Sequence, residues 1–263
     1  MASYFYAHAH FGKVEPLLRR LLAMKQKALG PDHPDVALIM NNLGHLLYSR
    51  GNYSESETLY RHSLAIREKA CGPNHPDVAW SLNNLAELLR VQGRYTEAEP
   101  LNRRSLAIVE KALGPDHLDV AQSLNNFAIL LFVQGRYAEA EPLYRRSLAI
   151  REKALGPHHP YVAGSLNNLA LLLEAQGNST EAEPLYRRSL AIEEKAYGEA
   201  HPDVATTLNN LASLLKAQGN YREAEPLYCR AVDILEKMLG PDHPNTIKVR
   251  NNLNDLFDKM KKP

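Results

Sequence analysis

The stretch Leu82-Asn83-Asn84-Leu85-Ala86-Glu87-Leu88-Leu89-Arg90-Val91-Gln92-Gly93-Arg94-Tyr95-Thr96-Glu97-Ala98 decides how the chain folds. At the helical increment Leu82, Leu85, Ala86 and Leu89 fall within about 100° of arc, the width of a core-facing stripe. Gly93 interrupts the pattern, and Tyr95, Ala98, Leu101, Leu106 and Ile108 supply the apolar surface of a second helix. The small Ala86 and Ala98 let the two backbones approach closely.

Outward from this stretch the same phrase returns every 42 residues, with Asn-Asn at Asn41–Asn42, Asn83–Asn84, Asn125–Asn126, Asn167–Asn168, Asn209–Asn210 and Asn251–Asn252. Six such units account for all but 11 of the 263 residues. A period of 20 to 50 residues is the mark of a stacked repeat array. Each unit reads as helix, tight turn, helix, longer turn, and no segment alternates like a strand. The longer turn, Gly-Pro-Asp-His-Pro-Asp, pairs a stopping glycine with a starting proline. Asp35, Asp77, Asp119 and Asp203 complement the helix N-terminus. Ser54 with Glu57, Thr96 with Glu99 and Thr180 with Glu183 have capping-box spacing and mark the second helix's start. Pro100, Pro142, Pro184 and Pro226 are expected at the edge of its first turn, where a missing N–H costs little.

Composition limits the function. Thirty-one Lys+Arg against 30 Asp+Glu leave a net charge of +1, which argues against a nucleic-acid backbone or an anionic membrane as the main partner. With 44% hydrophobic and 23% charged residues the chain can bury a core. No 18-residue apolar run occurs, and the first ten residues lack the features of a signal peptide, so a cytoplasmic location is expected. Cys71 and Cys229 lie almost four repeats apart, too far for a disulfide, and read as free thiols.

The pattern Leu82-x-x-Leu85-Ala86-x-x-Leu89-x-x-x-Gly93-x-Tyr95-x-x-Ala98 resembles the tetratricopeptide repeat, which has 34 residues in its usual form. The eight extra residues and the phrases Leu-Asn-Asn-Leu-Ala and Glu-Ala-Glu-Pro-Leu-Tyr-Arg-Arg look like the 42-residue variant of kinesin light chains and their bacterial relatives. The resemblance covers about residues 11 to 260. It implies an all-α, right-handed superhelical solenoid whose first helices line a concave, peptide-binding groove. Residues 1–12 read as the remnant of a truncated first helix, with Phe5 at a core position, and 13–260 as a single solenoid of about six repeats. Arg250 and Asn254 replace Leu82-type and Ala86-type positions, so the last helix reads as a cap.

The candidate groove residues are Asn41, Asn42, Asn83, Asn84, Asn125, Asn126, Asn167, Asn168, Asn209 and Asn210, with Trp80, Arg90, Ile129, Phe132, Leu171 and Lys216 around them. Asparagine is a mediocre helix former, so the pairs need another reason. They read either as amides holding the main chain of an extended ligand or as a ladder linking neighbouring repeats. Ile129, Phe132 and Leu171 are expected to form an exposed apolar patch, Trp80 to lie at least partly in solvent, and Arg90 to be placed for an acidic ligand residue. His33, His75, His117, His159, His201 and His243 stand roughly 10 Å apart from one repeat to the next, too far to share a metal, and read as turn or capping residues. Arg103–Arg104 and Arg145–Arg146 read as a salt-bridged face, given Glu99 and Glu141 four residues earlier. No nucleotide, hydrolase, zinc-protease or thiol-redox motif occurs. The expectation is a non-catalytic scaffold without metal or cofactor, a protein or peptide partner, and a monomer or weak homo-oligomer. The alternative is a structural or self-associating spacer.

Overall fold

A computed structural model describes residues 11–261; Phe5 and the rest of residues 1–10 lie outside it. Twelve helices follow one another: α1 Phe11–Leu29, α2 Pro34–Ser49, α3 Tyr53–Cys71, α4 Pro76–Val91, α5 Tyr95–Leu113, α6 Leu118–Val133, α7 Tyr137–Leu155, α8 Pro160–Ala175, α9 Ser179–Tyr197, α10 Pro202–Ala217, α11 Tyr221–Leu239 and α12 Pro244–Met260. Among the described residues there is no strand. Residues 11–150 and 151–261 form two compact units.

Each first helix starts on a histidine. His75 is extended (φ −77°, ψ 143°), and its Nδ1 accepts the Asp77 backbone N–H at 3.2 Å while Pro76 opens α4. The same bond recurs at His33, His117, His159, His201 and His243, so the capping reading holds in all six copies. His117 manages it with Leu118 in the proline's place. An imidazole that accepts through Nδ1 carries its proton on Nε2. The chain leaves α4 through Gly93, whose φ of +76° would strain a residue with a Cβ.

The second helices start earlier than their capping-box spacing implies. Their N-caps are Asn52, Arg94 and Asn178, none with a side-chain cap bond, and Ser54, Thr96 and Thr180 already lie inside the helix. The glutamates have better partners than a backbone N–H. Glu57 receives Arg61 and Arg94, both at 2.7 Å, and Glu99 receives Arg103 at 2.7 Å and Arg136 at 2.6 Å. Charge-assisted bonds of this kind outweigh neutral ones. The early start also moves Pro100, Pro142, Pro184 and Pro226 from the first turn into the second. All four rings are exposed, so the helical carbonyl each leaves unpaired can turn to water.

Within each helix pair a seam of small residues holds the backbones together. Ser63 Oγ donates to Ala37 O at 2.8 Å, and Ser105 to Ala79, Ser147 to Ala121 and Ser189 to Ala163 repeat the bond at 3.0, 2.7 and 2.8 Å. All eight residues are fully buried. In the first unit Val78, Leu82, Ile108, Val109, Val120, Leu124 and Ile150 pack around this seam. In the second, Val162, Leu166, Ile192, Val204, Leu208 and Ile234 are equally buried. Gly44 stands where the other repeats have alanine, and a Cβ there would lie 2.9 Å from the ring of fully buried Tyr60.

His75→Ala should lower stability by about 1 kcal/mol, while His75→Asn, whose side chain can likewise accept from the second helical amide, should keep most of it. Guanidinium unfolding measures both; an Ala variant with the wild-type midpoint would remove the capping role.

Candidate functional site

The first helices of each unit carry the asparagine pairs, and the structure divides every pair but Asn167–Asn168 by burial. Asn41, Asn83, Asn125 and Asn209 are buried and Asn167 is half-buried, whereas Asn84, Asn126, Asn168 and Asn210 are half-buried and Asn42 is exposed. The amides form a ladder from repeat to repeat. Asn84 Nδ2 donates to Asn41 Oδ1 at 3.0 Å, Asn210 to Asn167 at 3.1 Å and Asn252 to Asn209 at 2.9 Å. Asn83 Nδ2 reaches Ser123 Oγ at 3.0 Å, and Gln122 Nε2 reaches Asn126 Oδ1 at 2.8 Å. Both asparagines of a pair therefore take part in the repeat junction, the second from a half-buried position with the rest of its amide turned toward the surface.

The neighbouring candidates are less free than the sequence implies. Ile129, Phe132 and Leu171 are half-buried rather than exposed, and Phe132 packs on Tyr137 with ring centroids 5.5 Å apart. Ile129 and Phe132 belong to the first unit and Leu171 to the second. Arg90 does not wait for an acidic ligand: Nε and Nη2 both donate to Glu87 at 2.7 Å, and Glu87 also takes the Tyr48 hydroxyl at 3.1 Å. Burial pushes the Tyr48 hydroxyl pKa up, and the Glu87 bond raises that of Arg90. Lys216 donates to Asp255 at 2.8 Å and stands 5.6 Å from the Tyr228 ring centre.

Trp80 is 43% exposed, as its place opposite the core stripe requires. The Arg67 guanidinium, from the preceding second helix, lies 4.7 Å from its ring centre, a cation–π contact. Arg67 is itself buried, donating to Asp77 O and Ser81 Oγ, each at 2.9 Å. With Pro34, Asp35, Leu38 and Asp77 the two line a shallow pocket of about 380 Å³. Sequence reasoning assigned Arg67 to no site. A signal was present: its position reads Arg67, Val109, Arg151, Glu193 and Leu235 in successive repeats, putting charge where an apolar residue packs elsewhere.

Both arginines of the Arg103–Arg104, Arg145–Arg146 and Arg187–Arg188 pairs are engaged. Arg103 holds Glu99 in its own turn, and Arg104 reaches back to Glu68 at 2.5 Å and to Pro73 O at 2.9 Å. Arg146–Glu110, Arg188–Glu152 and Arg230–Glu194 repeat the reach. Cys71 and Cys229 are free thiols, and Cys71, His75 and Asp77 gather ligand atoms within 4.8 Å of one another, the one such trio among the described residues. His75 Nδ1 is spent on its cap, and the Arg67 guanidinium sits beside Asp77, so positive charge already occupies that corner.

This arrangement is that of a helix-turn-helix repeat protein, and family models for the tetratricopeptide repeat match residues 15–35, 36–77, 77–153, 119–195 and 161–237. The chain belongs to the tetratricopeptide repeat family. Among solved structures it is similar to BtubC (BKLC) from P. vanneervenii, at 26% identity over 90% of this chain and 92% of that one, with a TM-score of 0.69. It is also similar to a Podosopora anserina protein described as a kinesin light chain of nearly identical TPR-like repeats, at 28% identity over 78% and 97% of the two chains, TM-score 0.66. The apo form of RapI shares the fold at 16% identity over 99% and 98%, TM-score 0.65. No curated protein matches the sequence. No helix among the described residues is long and apolar enough to cross a membrane.

Glu193 is 6% exposed; the Thr207 hydroxyl and, at 3.5 Å from Oε1, Ser189 Oγ serve its carboxyl, and Oε2 has no partner within bonding distance. Burial pushes its carboxyl pKa up to about 7, from 4.5. The folded state therefore holds this proton more tightly than the unfolded chain. Glu193 contributes stability below pH 4.5 that is lost as pH rises through about 7. Glu193→Gln should remove this slope and raise the melting temperature relative to wild type at pH 8. Parallel melting curves for the two proteins between pH 5 and 8 would contradict it.

Proposed function

We propose that the protein is a non-catalytic interaction scaffold whose first-helix faces bind an extended peptide segment of another protein, and that it works in the cytoplasm without metal or cofactor. The reading is carried by the outward row of half-exposed amides, Asn84 and Asn126 in one unit and Asn168 and Asn210 in the other, beside the half-exposed Trp80. An amide can donate and accept at once, as main-chain recognition requires. A Trp with one face on Arg67 and part of its surface in water has the makeup of an interface anchor. Family membership and likeness to kinesin-light-chain repeats support the same reading. The repeat-to-repeat ladder favours the spacer alternative, since it gives the asparagines a purely internal use. Light scattering over a range of concentrations separates the two readings, because a spacer closed by its own copies grows with concentration.

Dodecapeptides selected from a random display library supply the probe. Asn84→Ala with Asn126→Ala should weaken the selected peptides at least tenfold while stability changes by about 1 kcal/mol per lost internal bond. Free Trp80 should emit to the red, quench readily with acrylamide, and become protected when peptide is added. Unchanged peptide affinity in a variant that melts far below wild type would assign the asparagines to the repeat junction alone.

A further inference from the structure

The pocket beside Trp80 has a counterpart in the second unit with opposite chemistry. Three repeats on from Pro34, Asp35, Leu38, Arg67, Asp77 and Trp80, the same positions are Pro160, Tyr161, Gly164, Glu193, Asp203 and Thr206. In the first unit the chain fills the place itself, with the Arg67 head lying on Trp80 and bonded to the Asp77 carbonyl. In the second the guanidinium is replaced by a carboxylate, and the large Leu38 and Trp80 by Gly164 and Thr206. A Cβ built on Gly164 meets nothing within 4 Å, while Tyr197, stacked on His201 with ring centroids 4.5 Å apart, takes the place of Cys71 in the same corner.

From this inversion we infer that the notch between the start of α8, the end of α9 and the start of α10 binds a cationic side chain, a lysine or arginine, supplied by a partner. Glu193 is the anchor. It is more than nine-tenths buried, and Oε2 has no partner, a costly state for a carboxylate unless a cation arrives. Asp203 stands at the mouth with its side chain 27% exposed, its Oδ2 3.7 Å from His201 Nδ1. Tyr161, 65% exposed, offers a ring face at the rim for the incoming cation. The chain's nearby cations are committed elsewhere: Arg151 donates to Ser165 Oγ at 2.7 Å and to Tyr161 O at 3.3 Å, and Arg230 holds Glu194 at 2.6 Å. The raised affinity of Glu193 for a proton is the same deficit seen with the smallest cation.

The site rests on the peptide-binding reading only for its natural occupant, a basic residue within the bound peptide. Nuclear magnetic resonance titration of the full chain with N-acetyl-lysine N-methylamide tests it directly, with the norleucine analogue as the uncharged control. The Gly164, Thr206 and Thr207 amides should shift saturably with the lysine amide at millimolar concentration and at least tenfold more weakly with norleucine. Glu193→Gln, which keeps the shape, should abolish the difference, and Asp203→Asn should reduce it. Silence with the lysine amide, equal response to both amides, or a response that survives Glu193→Gln would overturn the site. Peptides that bind through Asn84 while the lysine amide is silent leave the scaffold reading intact and sink the notch. The reverse result keeps the notch and sinks the peptide reading.

Discussion

A serine on the second helix of four of the five pairs, 26 residues after an alanine on the first, fixes the helix pair. The Ser105 hydroxyl meets the Ala79 carbonyl, and neither residue has a side chain large enough to part the backbones. Close approach at this seam brings Leu82, Val78 and Ile108 into one core and fixes how far each helix is turned about its axis. Which side chains face outward follows from that rotation. Where the seam changes, the packing compensates: the last pair sets Ala205 against Ala231, both fully buried, without a hydroxyl.

A fixed backbone with variable positions lets the repeat change chemistry without changing shape. At the junction after each second helix the same place holds Arg67 bonded to a helix start, Val109 in the core, and Glu193 with an oxygen unsatisfied. The first-helix face is varied in the same manner, from Trp80 to Gln122 to Gly164 to Thr206. The asparagine pairs stay constant where the positions beside them vary, and the bonds Asn84–Asn41, Asn210–Asn167 and Asn252–Asn209 use both members to tie repeat to repeat.

Helices, turns and capping histidines were legible because each depends on neighbours within a few residues. His75, Pro76 and Asp77 state the start of α4 in three letters, and Gly93 states its end. The capping box at Thr96 and Glu99 was legible as a spacing and yet is not formed, because Arg136, one repeat away, competes for the glutamate. Burial of Asn83 was hidden for the same reason, because its partner Ser123 lies on a second helix that the local pattern does not name, whereas the Glu87–Arg90 pair lies within α4 at i,i+3 spacing and could have been read from the sequence. Arg67 and Glu193 escaped notice because a charged residue on a second helix reads as solvated unless three helices are considered together.

The claim that the small-residue seam sets the architecture is most directly tested at Ser105, in the middle of the first unit. Guanidinium unfolding of Ser105→Ala should show a loss of about 1 kcal/mol, the worth of one hydrogen bond, and Ser105→Leu a loss of about 2 kcal/mol or more as the added carbons force the helices apart. A Leu variant as stable as wild type would mean that the seam has room to spare and that the rotation of the helices, with the outward row of amides, is set elsewhere.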